Sequence, residues 1–251
     1  MFRKVNKLAE SQDMHQIAYR ATMRELIKTR IVIEKTGLPY SSHMVTHWLR
    51  IWEYSWAAVE SGVDDRMHVL DAGGTGTIFS YFLAREGCKV TTIDIDKAKV
   101  EDAIRLSERL QLSNIEHFDY SILEMPFSNN AFDLVFSICV IEHIPMDQQT
   151  LAIGEFYRVL RPGGKLAITF DYVKGCEELS PYGFSSPEDV NARLILPGIG
   201  VGFLLQGGYD YTTRNPKDIT RADDKPVLYG SLLFQKQGTL KLKYEPNIDL
   251  K

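Results

Sequence analysis

The stretch from His68 to Asp94 sets the terms for what this 251-residue chain can fold into. His68 to Leu70 reads as a buried strand running into a carboxylate, Asp71, and then into the glycine-rich turn Ala72-Gly-Gly-Thr-Gly-Thr77. Ile78 to Arg85 reads as a helix closed by Gly87, and the apolar, β-branched run Lys89 to Ile93 as a second strand ending on Asp94. Strand, glycine turn, helix, strand and acid in that order make half of a nucleotide-binding α/β unit. The reasons are local. Glycine lets backbone approach a ligand closely. A helix start offers free N–H groups and the positive end of its dipole. An acid at the tip of the second strand can accept both hydroxyl protons of a ribose, although Asp94 could instead cap the next helix.

The chain continues this rhythm. Asp96 is placed to cap a helix from Lys97 to Leu110, whose apolar face carries Val100, Ala103, Leu106 and Leu110. Ile115 to Tyr120 reads as a short strand and 121–130 as a loop. Ala131 to Val140 is a strand so apolar that both faces should be buried. Asp147 is expected to cap a helix running to about Leu160, and Arg161-Pro-Gly-Gly164 turns into a fifth strand, Lys165 to Phe170. Five strands alternating with helices predict an α/β fold. Its sheet should be doubly wound, mostly parallel and Rossmann-like, with about seven strands once a late hairpin at 227–235 and 239–244 is added.

Upstream, 13–35 and 42–60 read as two helices, the second carrying all three tryptophans, Trp48, Trp52 and Trp56. The expected organisation is an N-terminal helical cap over 1–60, then a main domain over 61–251 with a late insert at about 174–225. Within the insert, Pro187 to Leu194 suggests a short helix behind Ser185 or Ser186, and Gly202 to Leu205 a strand. The cap helix either packs on the main domain only, or also brings Arg50, Trp52 or Tyr54 to the ligand.

Composition narrows the function classes. A net charge of −4 argues against a nucleic-acid partner, which would select for a basic face. The first fifty residues nevertheless hold nine Lys or Arg against four Asp or Glu, either a solvated helix face or an attraction for an anionic substrate. Cys88, Cys139 and Cys176 show neither metal-ligand nor disulfide spacing, so no metal is expected and a reducing, cytoplasmic compartment fits best. The longest apolar run, Leu194 to Leu205, is interrupted by Pro197 and three glycines. A soluble protein with no membrane partner is expected, its oligomeric state unread.

Four blocks in order then carry a family resemblance: Val-Leu-Asp-Ala-Gly-Gly-Thr-Gly at 69–76, Thr-Ile-Asp-Ile at 92–95, Met-Pro-Phe-Ser-Asn-Asn-Ala-Phe-Asp-Leu-Val-Phe-Ser at 125–137, and Arg-Val-Leu-Arg-Pro-Gly-Gly-Lys-Leu at 158–166. Over roughly 67–171 the chain resembles the class I S-adenosylmethionine-dependent methyltransferases, especially their small-molecule branch. The resemblance implies S-adenosyl-L-methionine as cofactor and a small-molecule methyl acceptor. It implies Asp71, Ala72, Gly73 and Gly74 beside the methionine part, Asp94 on the ribose hydroxyls, Ile95 beside the adenine, the Ile122 backbone near the adenine amino group, and Ser137 with Ile138 facing the methionine amine and sulfonium. The first block departs from the family: its usual alternate glycines read Gly73, Thr75 and Thr77 here, so Gly74 or Gly76 takes over the close-approach role. Ser121 stands where the family often has an acid, with Asp119 two residues earlier.

Transfer of a sulfonium methyl is an in-line displacement to an oxygen or nitrogen, and it gains from alignment and from a general base. Glu142-His143, just past the fourth strand, offers that base, because an imidazole titrates near neutrality. Equally, His143 could pack over the cofactor while Glu142 braces a loop. Cys139 reads as a small core residue rather than a nucleophile. Two other functions compete. An NAD(P)-dependent oxidoreductase would explain Asp94, but Phe79 stands where the third glycine of that fingerprint belongs. A non-catalytic cofactor-binding relative would explain the altered glycine turn.

Overall fold

The computed structural model describes residues 4–40, 48–172, 183–211, 220–222 and 225–238. The expected strand at 239–244, the start of the second cap helix at 42–47, and Cys176 lie outside them.

The glycine stretch folds as its pattern requires. β2 (His68–Ala72) enters the turn, α3 (Ile78–Arg85) leaves it, and β3 (Lys89–Ile93) returns parallel to β2. Thr77 caps α3 by accepting from the Ser80 N–H. Asp96 caps α4 (Lys97–Arg109), its carboxylate accepting from the Ala98 and Lys99 amides. β4 (Ile115–Phe118) adds parallel to β3. The chain then crosses back to place β5 (Phe132–Ile138) on the other side of β2, again parallel.

α5 (Met146–Val159) follows, with Pro145 rather than Asp147 at its N-cap. Asp147 sits in the first turn, where its charge favours the helix dipole without capping a backbone N–H. β6 (Leu160–Tyr172) begins earlier than the sequence suggests. The Arg-Pro-Gly-Gly segment is an irregularity within the strand, with Leu160 opposite Phe132 and Lys165 opposite Leu134. Gly163 takes a left-handed φ of +84° there.

The late segment is more helical than expected. α6 (Pro187–Val190), capped by Ser186, passes through one wide π-helical turn at Asn191–Ile195 into α7 (Leu196–Val201). β7 (Phe203–Leu205), β8 (Gly208–Asp210), β9 (Thr220–Ala222) and β10 (Lys225–Lys236) complete the described strands. β10 runs antiparallel between β6 and β7, giving the order β4-β3-β2-β5-β6-β10-β7 with β9 beside β10. The Rossmann-like expectation of about seven mostly parallel strands is met. The order reverses direction between β2 and β5, and such switch points open a crevice at the carboxyl ends of the strands.

The helices α1 (Ile17–Glu34) and α2 (Trp48–Ser61) share one apolar core with α3 and one face of the sheet. Trp52 and Trp56 are fully buried and stacked. Their indole N–H groups donate to Asp13 Oδ2 at 2.8 Å and to the Val5 carbonyl at 3.0 Å. The other face packs under α5 and the late helices. The polar N-terminus, to which the sequence assigned no element, forms β1 (Lys4–Lys7), parallel to β8. No described helix is long and apolar enough to cross a membrane.

Candidate active site

A cavity of about 670 Å³ opens at the switch point, within the range of ligand pockets of about 300–1,000 Å³. It is bounded by the glycine turn, the tip of β3, the loop after β4, the end of β5 and, from above, α2.

The turn gives each of its glycines a different place. Gly73 has φ +83°, and a Cβ there would meet Val140 Cγ atoms at 2.7 Å. Gly74 lies directly on the Asp71 carboxylate, leaving no room for a Cβ. Gly76 is left-handed as well, with φ +76°. Thr75, between them, is buried and shares a 2.9 Å hydrogen bond with Thr92. Gly73 and Gly74 both line the cavity, as does Asp71. Asp71 takes a 2.6 Å bond from the Ser80 hydroxyl, while its Oδ1 has no partner among the described residues. Burial pushes this carboxyl up to about 7, against the lowering effect of Ser80.

Asp94 stands at the tip of β3. Its Oδ1 accepts the Asp96 N–H at 3.0 Å, and Lys99 Nζ lies 3.7 Å from Oδ2. It caps no helix; Asp96 does. Ile95 is 81% exposed and lines the cavity, as does Ile122. Ala72 and Ser137 behave differently. Both are fully buried, and neither lines the cavity. Ala72 packs into the core beneath the sheet, and the Ser137 hydroxyl has no partner among the described residues.

Past β5, the two candidate residues separate. His143 is exposed and lines the cavity. Glu142 is completely buried and does not line it. Its Oε1 accepts the Asp171 N–H at 3.0 Å, so it ties the loop after β5 to the end of β6. Burial, aided by the charge of Asp171, pushes Glu142 up to about 8.

Two cavity-facing residues come from α2: Arg50 and Tyr54, but not Trp52. Arg50 lies over the Tyr54 and Tyr229 rings, 5.9 and 5.4 Å from their centroids, and pairs with Glu53. Glu53 is the residue that sequence reading missed. Fully buried, it accepts from the Thr169 hydroxyl at 2.8 Å and the Cys139 thiol at 3.1 Å. Burial raises its pKa, Arg50 opposing. The available signal was a charge pair, Arg50 and Glu53, set among the aromatic and apolar residues of the first half of α2. Nothing linear tied it to residues 139 and 169. Cys139 itself is more than core filling: it turns left-handed at φ +50° and faces the cavity. Its pKa is raised well above that of a free thiol by burial and the neighbouring Glu53, which makes it a poor nucleophile. Cys139, Glu142 and Asp171 bring potential ligand atoms within 4.8 Å of one another, a grouping the sequence did not reveal.

Residues 70–168 match the family model described as a methyltransferase domain. The match runs from β2 into β6 and, with the sheet order, marks this segment as a methyltransferase domain of the class I S-adenosylmethionine-dependent type. The chain is 32% identical over 103 residues to the O-methyltransferase resE of Aspergillus sclerotiorum, covering 40% of this chain and 38% of that one. It is 29% identical over 187 residues to the ubiquinone/menaquinone biosynthesis C-methyltransferase UbiE of Ruegeria sp. strain TM1040, covering 72% and 70%. Among solved structures, that of the [4+2]-cyclase SpnF superposes with a TM-score of 0.63 at 18% identity, over 88% of this chain and 96% of SpnF. That last likeness is one of fold alone.

Proposed function

We propose that the switch-point cavity holds S-adenosylmethionine and that the protein moves its methyl group to a small molecule admitted beside His143. The observation that carries this is the single cavity joining Gly73 and Gly74, Asp94 and Ile95, and His143. The residues fit the cofactor. Asp71 offers a buried carboxylate oxygen, unpartnered among the described residues, beside the glycine turn and suited to the cationic methionine portion. Asp94 is the carboxylate for the ribose, flanked by the apolar Ile95 and Ile122 for the adenine. Ala72 and Ser137 support this wall from within the core.

The bound sulfonium supplies an electrophilic methyl carbon. The chain's own task is to align the acceptor, exclude water and remove a proton. His143 is the group placed to take that proton from an acceptor hydroxyl. Glu142 acts through the backbone of Asp171 as a positioning residue rather than as a base. Once the hydroxyl is ionised, its electron pair can reach the methyl from the oxygen or, in a conjugated ring, from a carbon. The O-methyltransferase and C-methyltransferase names of the relatives correspond to these two outcomes. A phenolic or enolic acceptor serves both, and this reading replaces a restriction to oxygen and nitrogen. The oxidoreductase alternative loses support because Phe79 is fully buried, stacked on Tyr54 at 5.1 Å. We place the activity in the cytoplasm, where Cys88 and Cys139 stay reduced.

Calorimetric titration tests this reading. S-adenosylmethionine and its demethylated product should bind, and NAD should not. Asp94→Ala should weaken binding tenfold or more, about 1.4 kcal/mol. Unchanged affinity would remove Asp94 from the ribose site, and no binding by the wild type would end the proposal. His143→Ala should lower turnover far more than cofactor affinity. If turnover holds, His143 is not the base.

A further inference from the structure

The outer face of α1 has a composition that solvent alone does not account for. Its inner face buries Tyr19, Leu26, Thr29 and Ile33. At 3.6 residues per turn, the residues opposite them fall within an arc of roughly 100°: Ile17, Arg20, Arg24, Ile27, Lys28 and Ile31, with Lys35 at the C-cap. Each of these seven is an isoleucine or a base, and each is exposed. Ile17, Ile27 and Ile31 are 88%, 45% and 46% accessible. The helix's acids stand at the edges of the stripe, Glu25 bonded to Lys28 at 2.7 Å and Glu34 to Arg30 at 2.6 Å. Arg20, Arg24, Lys28 and Ile27 also line a shallow depression. At the amino end, Asp64, Asp65 and Glu86 border the Ala18–Ala21 side. The stripe is basic on a chain whose net charge is −4.

We propose that this face of α1 docks on an anionic lipid bilayer, the isoleucines entering the boundary between headgroups and acyl chains and the bases pairing with lipid phosphates. Charge complementarity selects the anionic surface, and the interleaved isoleucines select lipid over a purely polar polyanion. Docking of this kind departs from the expectation of no membrane partner, but it leaves the helix parallel to the surface and requires no spanning segment. It is independent of which acceptor the cavity takes.

Flotation of the full chain with vesicles tests it. Vesicles of phosphatidylcholine with added phosphatidylglycerol should bind at least about tenfold more protein than phosphatidylcholine alone, and raised salt should weaken the binding. Arg20→Glu with Arg24→Glu should abolish binding, and Ile27→Ser with Ile31→Ser should reduce it as strongly. These side chains are exposed, so all variants should keep the wild-type melting temperature and S-adenosylmethionine affinity. Equal binding to both vesicle types, or none, overturns the proposal. So does binding that survives the serine substitutions but not the charge reversal, which would mark a site for soluble polyanions.

Discussion

At the scale of single residues, four carboxyl groups in and behind the cavity wall are kept from water, of which Asp71 alone lines the cavity. Asp71, Glu142, Glu53 and Asp171 all have raised pKa values, burial being the main cause in each. Glu142 gives the clearest pH consequence. Its folded pKa of about 8 lies above its ordinary value of 4.5, so between those limits the folded chain holds a proton that the unfolded chain releases. Stability is therefore greatest below the unfolded value and falls as pH rises through the window, by on the order of 1.4 kcal/mol per pH unit. Glu142→Gln keeps an oxygen for the Asp171 N–H and removes the ionisation. Thermal melts should show the variant losing less stability than wild type between about pH 5 and pH 8, with part of the slope remaining from Asp71. Parallel curves would mean that Glu142 is ionised in the fold. The same residue shows the limit of linear reading. That Glu142 and His143 follow the fourth strand of the main domain was legible. That one turns into the core and the other into the cavity was not, because the short 3₁₀ turn at Ile141–His143 sets their directions.

At the scale of elements, the βαβ units were legible because each combines a local period with its own punctuation. Asp96 capped as expected and Asp147 did not, since α5 begins at Met146 with Pro145 at the cap position and Asp147 already inside the first turn. β1 was invisible in sequence. Lys-Val-Asn-Lys has no strand pattern of its own and is held by its neighbours. Asn6, fully buried, is the link: its Oδ1 accepts the Leu233 N–H of β10 at 2.7 Å, and its Nδ2 donates to the Gln206 carbonyl at 2.7 Å. Asn6→Ala would leave the buried Leu233 N–H unpaired, at a cost of about 1–3 kcal/mol. Chemical denaturation should register a destabilisation of that order, and a change below about 0.5 kcal/mol would show water replacing the side chain.

At the scale of the whole molecule, α2 and the sheet meet through charge as well as packing. Glu53 on α2 reaches Cys139 beyond β5 and Thr169 on β6, and Arg50 places a cation at the cavity wall. Arg50 and Tyr54 were marked from sequence as able to reach the ligand, and they do line the cavity. Trp52 turns instead to Asp13, which Lys7 also holds at 2.7 Å. The basic bias of the first fifty residues was equally plain in the sequence, but its alignment with isoleucines along one helix face emerged only from knowing which side of α1 is buried.

The sequence by itself determined the doubly wound sheet, the glycine turn and the acid at the tip of β3. Those depend on interactions a few residues apart: strand period, cap and turn chemistry. Tertiary structure alone decided which side chains share the cavity, how far burial moves the carboxyl groups, and that the chain's beginning is tied to its late strands. Those properties arise between residues as distant as Asn6 and Leu233 or Glu53 and Thr169, and the dielectric around a carboxyl is set by everything packed against it.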